Sequence, residues 1–470
     1  MKFFIVFERL MRRIFPSTFT IALALTVATM LLALLLTEPV DIGGSEKAVH
    51  KEIAGDPVSG SDLHLIQIFG FWYKGMWQSD LLAFAIQMML ILVLGYVLAS
   101  TSLFRNFIGR ALIYCNSTAN AAFIVCFFTL VLGLLNWGLG LIFGAIFAAR
   151  AGEHARKNSI PLNYPLIVAA GYSGLMVWHG GISGSAPLKV AEAGHLRSLT
   201  GLDLQPVDFG ETVFSGMNLA IALALLIIIP ASLYFLGKSV KSDKNSIPES
   251  EEKTETVFKP QVDGAERADH SRTFGIGIGI ILLGFAAYKA IATGDLSVID
   301  PNYINFILLG SGLLLCGTIA GFLRAVAKAM PAAGGILIQF PLYFGIMGIM
   351  KYSGLVEVFS GFLMEISNGT TFPVFTLFSA GIVNVFVPSG GGQWAVQGPI
   401  IIEAAQNLNV PLGKAVMALA YGDQLTNMMQ PFWALPLLGI TGLKARDIIP
   451  YTLYLMLIAT VIFISGLLLF

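Results

Sequence analysis

The chain has 470 residues, 56% of them hydrophobic and 12% charged, with a mean hydropathy of +0.77. Soluble domains carry about 25% charged residues, so this composition excludes a soluble globular protein and predicts an all-α polytopic membrane protein. A net charge of zero offers no field to attract nucleic acid, and the three scattered cysteines have neither metal-ligand spacing nor the pattern of a disulfide framework.

In chain order, Arg9, Arg12 and Arg13 precede the apolar run 19–36. The run is long enough to span and no small-residue cleavage site follows it, so it reads as a retained first helix. Phe71-Trp-Tyr with Trp77 then reads as an interfacial aromatic belt in an outer loop, 38–80. Apolar segments follow near 81–100, 119–135, 137–149, 162–178 and 214–237. A second set lies near 273–292, 303–322, 331–350, 372–387, 394–407, 412–428 and 448–468. Several are too short for a ~20-residue span and are expected to be half-helices or re-entrant hairpins.

Between the two sets, residues 238–272 are rich in Ser, Lys and Glu and read as a flexible cytoplasmic spacer. This divides the chain into a first membrane repeat (1–237), the linker (238–272), a linking helix (273–302) and a second membrane repeat (303–470). With the N-terminus inside, 20 of the 28 Lys and Arg fall on the cytoplasmic side, while the outer loop 38–80 holds seven acidic residues against three basic ones. The positive-inside rule therefore puts the N-terminus in the cytoplasm and the C-terminus outside.

The two sets also align with each other. Ile86-Gln87 matches Ile338-Gln339, and Asn136 matches Asn384 after 49 and 45 further residues. Tyr172 matches Tyr421 after 36 and 37 more, and Pro187-Leu188 matches Pro436-Leu437 after 15 in both. The charge-based orientation runs 119–135 outward and 372–387 inward, so the repeat is expected to be inverted. Inverted repeats with paired helix breaks point to a secondary transporter with its site near the bilayer midplane.

Four stretches interrupt the apolar runs: Asn136-Trp-Gly-Leu-Gly, Trp178-His-Gly-Gly-Ile-Ser-Gly-Ser-Ala-Pro, Val387-Pro-Ser-Gly-Gly-Gly-Gln-Trp, and Tyr421-Gly-Asp-Gln-Leu-Thr-Asn-Met-Met-Gln-Pro-Phe-Trp. A helix that stops inside a membrane leaves backbone groups unpaired, and its N-terminus suits a carboxylate. Apart from His179, these stretches hold no cation, so an anion there would rest on helix ends, hydroxyls and amides. Asn136, Ser183, Ser185, Asn384, Ser389, Gly390, Gly391, Gln393 and Trp394 are the candidate substrate shell.

Asp423 is the one acid in the breaks, and with Gln424 and Asn427 it is the candidate coupling group. It would carry a proton or ligate Na⁺ with Asn427 and Asn384, or simply pair with a neighbouring donor. His179 reads either as a titrating group or as a hydrogen-bonded cap. Trp137, Trp178, Trp394, Phe432 and Trp433 either line a slot for an acyl tail or fill the space that glycine leaves. Gly140-xxx-Gly144 matches a close helix-packing motif. No phosphate loop, metal cluster or nucleophile elbow is present, which argues against an enzyme.

The same stretches, with Gln397-Gly-Pro399 and Gln430-Pro-Phe-Trp-Ala-Leu-Pro436, resemble the bacterial short-chain fatty acid transporter family, including acetoacetate/butyrate-type permeases. The resemblance implies uptake of short monocarboxylates across the inner membrane, within a superfamily of ion-coupled transporters that resemble elevator machines. A two-hairpin core would then move against segments such as 17–37 and 303–322. It also implies a short-chain carboxylate substrate, H⁺ or Na⁺ coupling, a lipid environment, no cofactor beyond a bound Na⁺, and an assembly for which a homodimer stays open. The chain departs from that pattern at His179 (glycine expected), Gln393 (histidine expected) and Asp423 (glutamate expected). A sodium/proton antiporter, a dicarboxylate carrier, and more remotely a membrane-embedded enzyme or receptor are the alternatives.

Overall fold

The computed structural model describes residues 16–39, 64–242, 264–294, 298, 301–365 and 367–470. Most of the linker, and the stretch holding Arg9, Arg12 and Arg13, lie outside the described residues.

Among the described residues, helix follows helix. The first half holds α1 (Thr18–Leu36), α2 (His64–Met76), α3 (Ser79–Ser100), α4 (Ser102–Leu112), α5 (Thr118–Leu135), α6 (Trp137–Lys157), α7 (Tyr164–Tyr172), α8 (Ser185–Ala191), α9 (His195–Thr200) and α10 (Gly216–Ser239). The short α11 (Glu266–Asp269) leads into α12 (Arg272–Thr293), α13 (Pro301–Cys316), α14 (Ile319–Tyr352) and α15 (Leu355–Glu365). The chain then forms α16 (Phe372–Phe386), α17 (Gly390–Asn407), α18 (Leu412–Thr426), α19 (Pro431–Thr441) and α20 (Ala445–Leu469). Among the described residues, eight segments are long and apolar enough to cross a membrane, and one of them, Tyr164–Ala191, is interrupted. A bilayer core offers backbone groups no water, so helices are the natural answer to such a composition.

Where these helices stop, the cause is local. Asn136 is at once the C-cap of α5 and the N-cap of α6, its Oδ1 accepting from Leu139 N–H at 3.0 Å. The α5–α6 hairpin closes on glycine: a Cβ at Gly140 would lie 2.7 Å from Gly133 Cα. Gly144 meets α7 at Gly171 in the same way, so Gly140-xxx-Gly144 serves two different contacts. In the second half Ser389 caps α17, its Oγ accepting from Gly392 N–H at 3.2 Å.

Three segment boundaries differ from the sequence reading. The expected span 303–322 is broken at Gly317, which takes φ 74° and ends α13, while Thr318 caps the 34-residue α14. The apolar character runs through this break unchanged, so hydropathy does not reveal it. The outer stretch that holds Phe71, Trp72 and Tyr73 forms α2, packed on α14 so closely that Gly75 N lies 3.0 Å from a Cβ placed on Gly348. The segment expected at 137–149 continues as helix to Lys157, its last turns carrying Arg150, Glu153, Arg156 and Lys157.

The large buried side chains (Phe147, Tyr172, Phe340, Tyr421, Tyr451 and Phe463) fill one core around the breaks. A second, smaller core joins Ala186 and Val190 of α8 to Phe372, Trp394 and Ile401. Outward faces of α1, α10, α12 and α20 are apolar, with Leu31, Ile227, Ile281 and Val461 all exposed, as contact with lipid tails requires.

Candidate functional site

Two interrupted helices cross the middle of the molecule. After Tyr172 the chain runs through two 3₁₀ turns, Ser173–Met176 and Trp178–Gly180, before α8 begins at Ser185. After Thr426 it runs through Asn427–Met429 before α19 begins at Pro431. Asp423 and Gln424 therefore lie in the last turn of α18, and the second break falls in the later part of the stretch 421–433 that the sequence suggested.

The tip of each hairpin is tied to these breaks. Ser183 Oγ accepts from Trp137 N–H at 3.1 Å, and Ile182 N–H donates to Leu134 O at 2.9 Å, so the loop 181–185 is docked on the α5–α6 tip. A Cβ on Gly391 would lie 4.0 Å from Ser185 Cβ, and one on Gly390 would lie 2.8 Å from His179 Cε1 and 2.9 Å from Trp178 Cη2. The start of α17 thus rests directly on the first break. Ser183, Ser185 and Ser389 are half-buried and Gly391 is exposed, so this junction has polar edges open to entry. α17 is an 18-residue helix, long enough to present a partial positive charge at Gly390 and Gly391.

Behind the junction lies a fully buried polar layer. His179 Nδ1 is 2.6 Å from Asp423 Oδ2, both side chains being at most 1% exposed. His179 Nε2 accepts from Ala186 N–H at 3.0 Å. A ring nitrogen that accepts carries no proton, so this imidazole is neutral, with its hydrogen on Nδ1 donated to the Asp423 carboxylate. Gln424 Oε1 accepts from the N–H groups of His179 (2.8 Å) and Gly180 (3.1 Å). Among the described residues no Lys or Arg bonds Asp423, so the pair carries one uncompensated negative charge when the acid is ionised, an expensive state in a dry interior.

Asn384 makes a second cluster. Its Nδ2 lies 2.6 Å from Asp423 O, 2.9 Å from Thr426 Oγ1 and 3.0 Å from Asn427 Oδ1, while its own Oδ1 is buried with no partner among the described residues. Gln430 donates to the Asn384 carbonyl, and its buried Oε1 likewise has no partner among the described residues. Two amide hydrogens cannot satisfy three acceptors. If a Na⁺ were bound here, the side-chain oxygens of Asn384, Asn427 and Gln430 would be the groups to hold it.

The two repeat-matched tyrosines reach across. Tyr172 Oη donates to Asn427 O at 2.8 Å, in the second break. Tyr421 Oη donates to Asn218 Oδ1 at 2.9 Å, and Asn218 Nδ2 holds Gly180 O at 2.8 Å, in the first. Asn218 was not singled out in the sequence; a solitary amide near the start of the apolar run 214–237 was its available signal.

The structure thus gathers Asn136, Ser183, Ser185, Ser389, Gly390 and Gly391 at the junction and Asn384, Asp423, Gln424 and Asn427 behind it. Gln393 and Trp394 lie elsewhere. Gln393 is buried and donates to Ala380 O and Gln397 Oε1 at 2.8 and 2.7 Å, and Trp394 Nε1 is 3.0 Å from His195 Nε2 in the smaller core. The aromatics divide similarly. Trp137 packs edge-on against Trp178 and Trp433 (6.3 and 5.3 Å between centroids), and Phe340 of α14 stacks on Phe432 at 4.0 Å. Trp394 is not among them. The two large grooves, about 490 and 620 Å³, lie away from all of these residues.

A protein of Escherichia coli (strain K12) is 38% identical over 413 residues, covering 86% of this chain and 90% of that protein. One from Haemophilus influenzae (strain Rd) is 36% identical over 414 residues, again 86% and 90%. Both carry the name "Putative short-chain fatty acid transporter". Solved structures of the Alcanivorax borkumensis YdaH transporter and Neisseria gonorrhoeae MtrF align over 97% and 99% of this chain and 97% of each of theirs. Their identities are 14% and 15% and their TM-scores 0.40 and 0.37, a likeness too loose to argue from. The model of the family "Short chain fatty acid transporter" matches residues 2–470, and the chain belongs to that family of multi-pass membrane transporters.

Proposed function

We propose that this protein is a secondary active transporter that takes short monocarboxylates of the butyrate and acetoacetate type across the bacterial inner membrane, driven by H⁺ or Na⁺. The observation that carries this reading is the junction of the first break with the start of α17. Half-buried serine hydroxyls and the start of a long helix can receive one carboxylate, and no Lys or Arg lies within the four break stretches to trap it. Binding by neutral groups is weak enough to be reversible, which a carrier needs. A dicarboxylate would require a second anion subsite, and the breaks supply no cation for one.

The inverted repeat is part of the same reading. Each half runs through a helical hairpin, an interrupted helix and a long helix (α5–α6, α7–α8, α10; then α16–α17, α18–α19, α20). The crossed bonds of Tyr172 and Tyr421 support a two-fold relation between them. In an elevator cycle this core would slide against α1, α13 and the start of α14. The acidity of the outer loop and the basic inner loops support an orientation with the N-terminus inside and the C-terminus outside.

Purified protein in sealed liposomes should accumulate labelled butyrate or acetoacetate under an imposed proton or sodium gradient. No uptake of any short-chain acid under either gradient would end the proposal, and the gradient that drives uptake identifies the coupling ion. Ser389→Ala removes the oxygen that caps α17, a loss of about 1 kcal/mol in helix stability. It should also raise the apparent KM for butyrate roughly tenfold, in keeping with a lost hydrogen bond to a charged group. A wild-type KM takes Ser389 out of the site.

A further inference from the structure

His179 is the one titratable base in the four breaks, and its two ring nitrogens hold two separate parts of the molecule. Nδ1 binds Asp423 of α18 at 2.6 Å, and Nε2 binds Ala186 N–H of α8 at 3.0 Å. The Ala186 bond anchors the far end of the loop 181–185, which carries Ser183 and Ser185. Trp178 stacks on the imidazole, with ring centroids 4.4 Å apart at 18°, and Gly390 covers its Cε1 edge. The other packed elements bring little charge: α5 offers Leu134 O, α10 offers Asn218, α17 offers Gly390, and α18 adds the phenol of Tyr421 beside Gly180. Among the described residues, Asp423 carries the only carboxyl group that bonds the ring.

We propose that His179 is the positioning residue that links proton uptake to substrate binding. A proton from solvent lands on Nε2, expels the Ala186 N–H from its bond, and so frees the Ser183–Ser185 loop to close on the carboxylate. The same proton turns a pair of charge −1 into an internally neutral imidazolium–carboxylate pair, removing the repulsion that the buried acid exerts on an arriving anion. The proton leaves from the same nitrogen when the acid is released, and Ala186 N–H returns to Nε2. No covalent bond changes. This rests on the reading of the junction as the place of the carboxylate. A proton suits this pair better than Na⁺ suits the Asn384 cluster, because the Asn384 amide nitrogen already occupies the centre of those oxygens.

The test has two arms, one of which needs no substrate. In detergent-solubilised wild-type protein, a charged imidazole against the Trp178 face should quench indole fluorescence as pH falls. The quench should be absent in both Trp178→Phe and His179→Gln, and at fixed pH it should deepen when butyrate is added. In the second arm, butyrate affinity should rise about tenfold for each pH unit of acidification, as one linked proton requires. His179→Gln, whose amide can still accept from Ala186 and donate to Asp423, should bind butyrate with an affinity that no longer depends on pH. His179→Asn is the check should the glutamine variant not fold.

A pH-dependent affinity that survives in either variant overturns the proposal, since the proton then sits on Asp423 or elsewhere. A wild-type affinity independent of pH, with uptake driven by sodium alone, overturns it equally. Neither result touches the carboxylate reading. Failure of every short acid to bind refutes that reading, while the substrate-free quench still reports whether His179 takes the proton.

Discussion

Asp423→Asn abolishes uphill accumulation of substrate and leaves exchange of internal for external substrate running. The expectation follows from what the substitution keeps. Asparagine has the shape of aspartate, and its Oδ1 can still accept from His179 Nδ1–H, as Asp423 Oδ2 does at 2.6 Å. The backbone carbonyl of residue 423, which Asn384 binds at 2.6 Å, is untouched. What is lost is the negative charge that makes a buried proton tolerable. An imidazolium at His179 would then have no counter-ion in a fully buried site, a cost of several kcal/mol.

Each pH unit of gradient is worth about 1.4 kcal/mol per proton. A one-proton carrier under a two-unit gradient can therefore concentrate its substrate ~100-fold, and the uncoupled variant should reach only equality. Liposome accumulation and counterflow measure the two halves of this statement separately. Undiminished accumulation by Asp423→Asn would exclude the carboxylate from coupling.

The helix breaks were legible in the sequence because glycine, proline and polar side chains are conspicuous in apolar surroundings. Asn136, Ser389 and the loop around Ser183 all fall where helices stop. The boundary at Gly317 was not legible, since lipid-facing and buried segments are apolar alike and no change of face marks a break there. Nor was the partnership of His179 with Asp423, 244 residues apart, because a single sequence carries no record of which distant residues touch. Both had been singled out separately in the sequence. Their contact joins the two: the Asp423 carboxyl group is the partner that His179 Nδ1 meets at 2.6 Å. Gln393 and Trp394 show the converse limit. Their neighbours Gly390 and Gly391 face the junction, but one turn further on the same helix points its side chains inward, against α16 for Gln393 and into the smaller core for Trp394.

The same chemical change at two glycines should separate fold from site. At Gly422 an added methyl would collide with Leu377 O and sit 2.8 Å from Ala380 Cβ and 2.9 Å from Gly381 N. These are backbone and adjacent packed atoms of α16, with no flexible side-chain end to yield. That contact sets the spacing of α16 and α18, and hence brings Asp423 O and Asn427 within reach of Asn384. Gly422→Ala should therefore cost about 3 kcal/mol, at the upper end for overpacking, and abolish transport. At Gly391 the added methyl meets only Ser185 Cβ, at 4.0 Å, an ordinary contact. Gly391→Ala should unfold at the wild-type temperature, yet raise the KM for butyrate several-fold and more for longer acids, because the methyl occupies the junction itself. Thermal unfolding in detergent and uptake across an acyl-length series give both readings from one preparation. A wild-type KM for Gly391→Ala at all chain lengths would mean that substrate does not pass between Ser185 and the start of α17, and an unshifted unfolding temperature for Gly422→Ala would mean that α16 and α18 can part without loss.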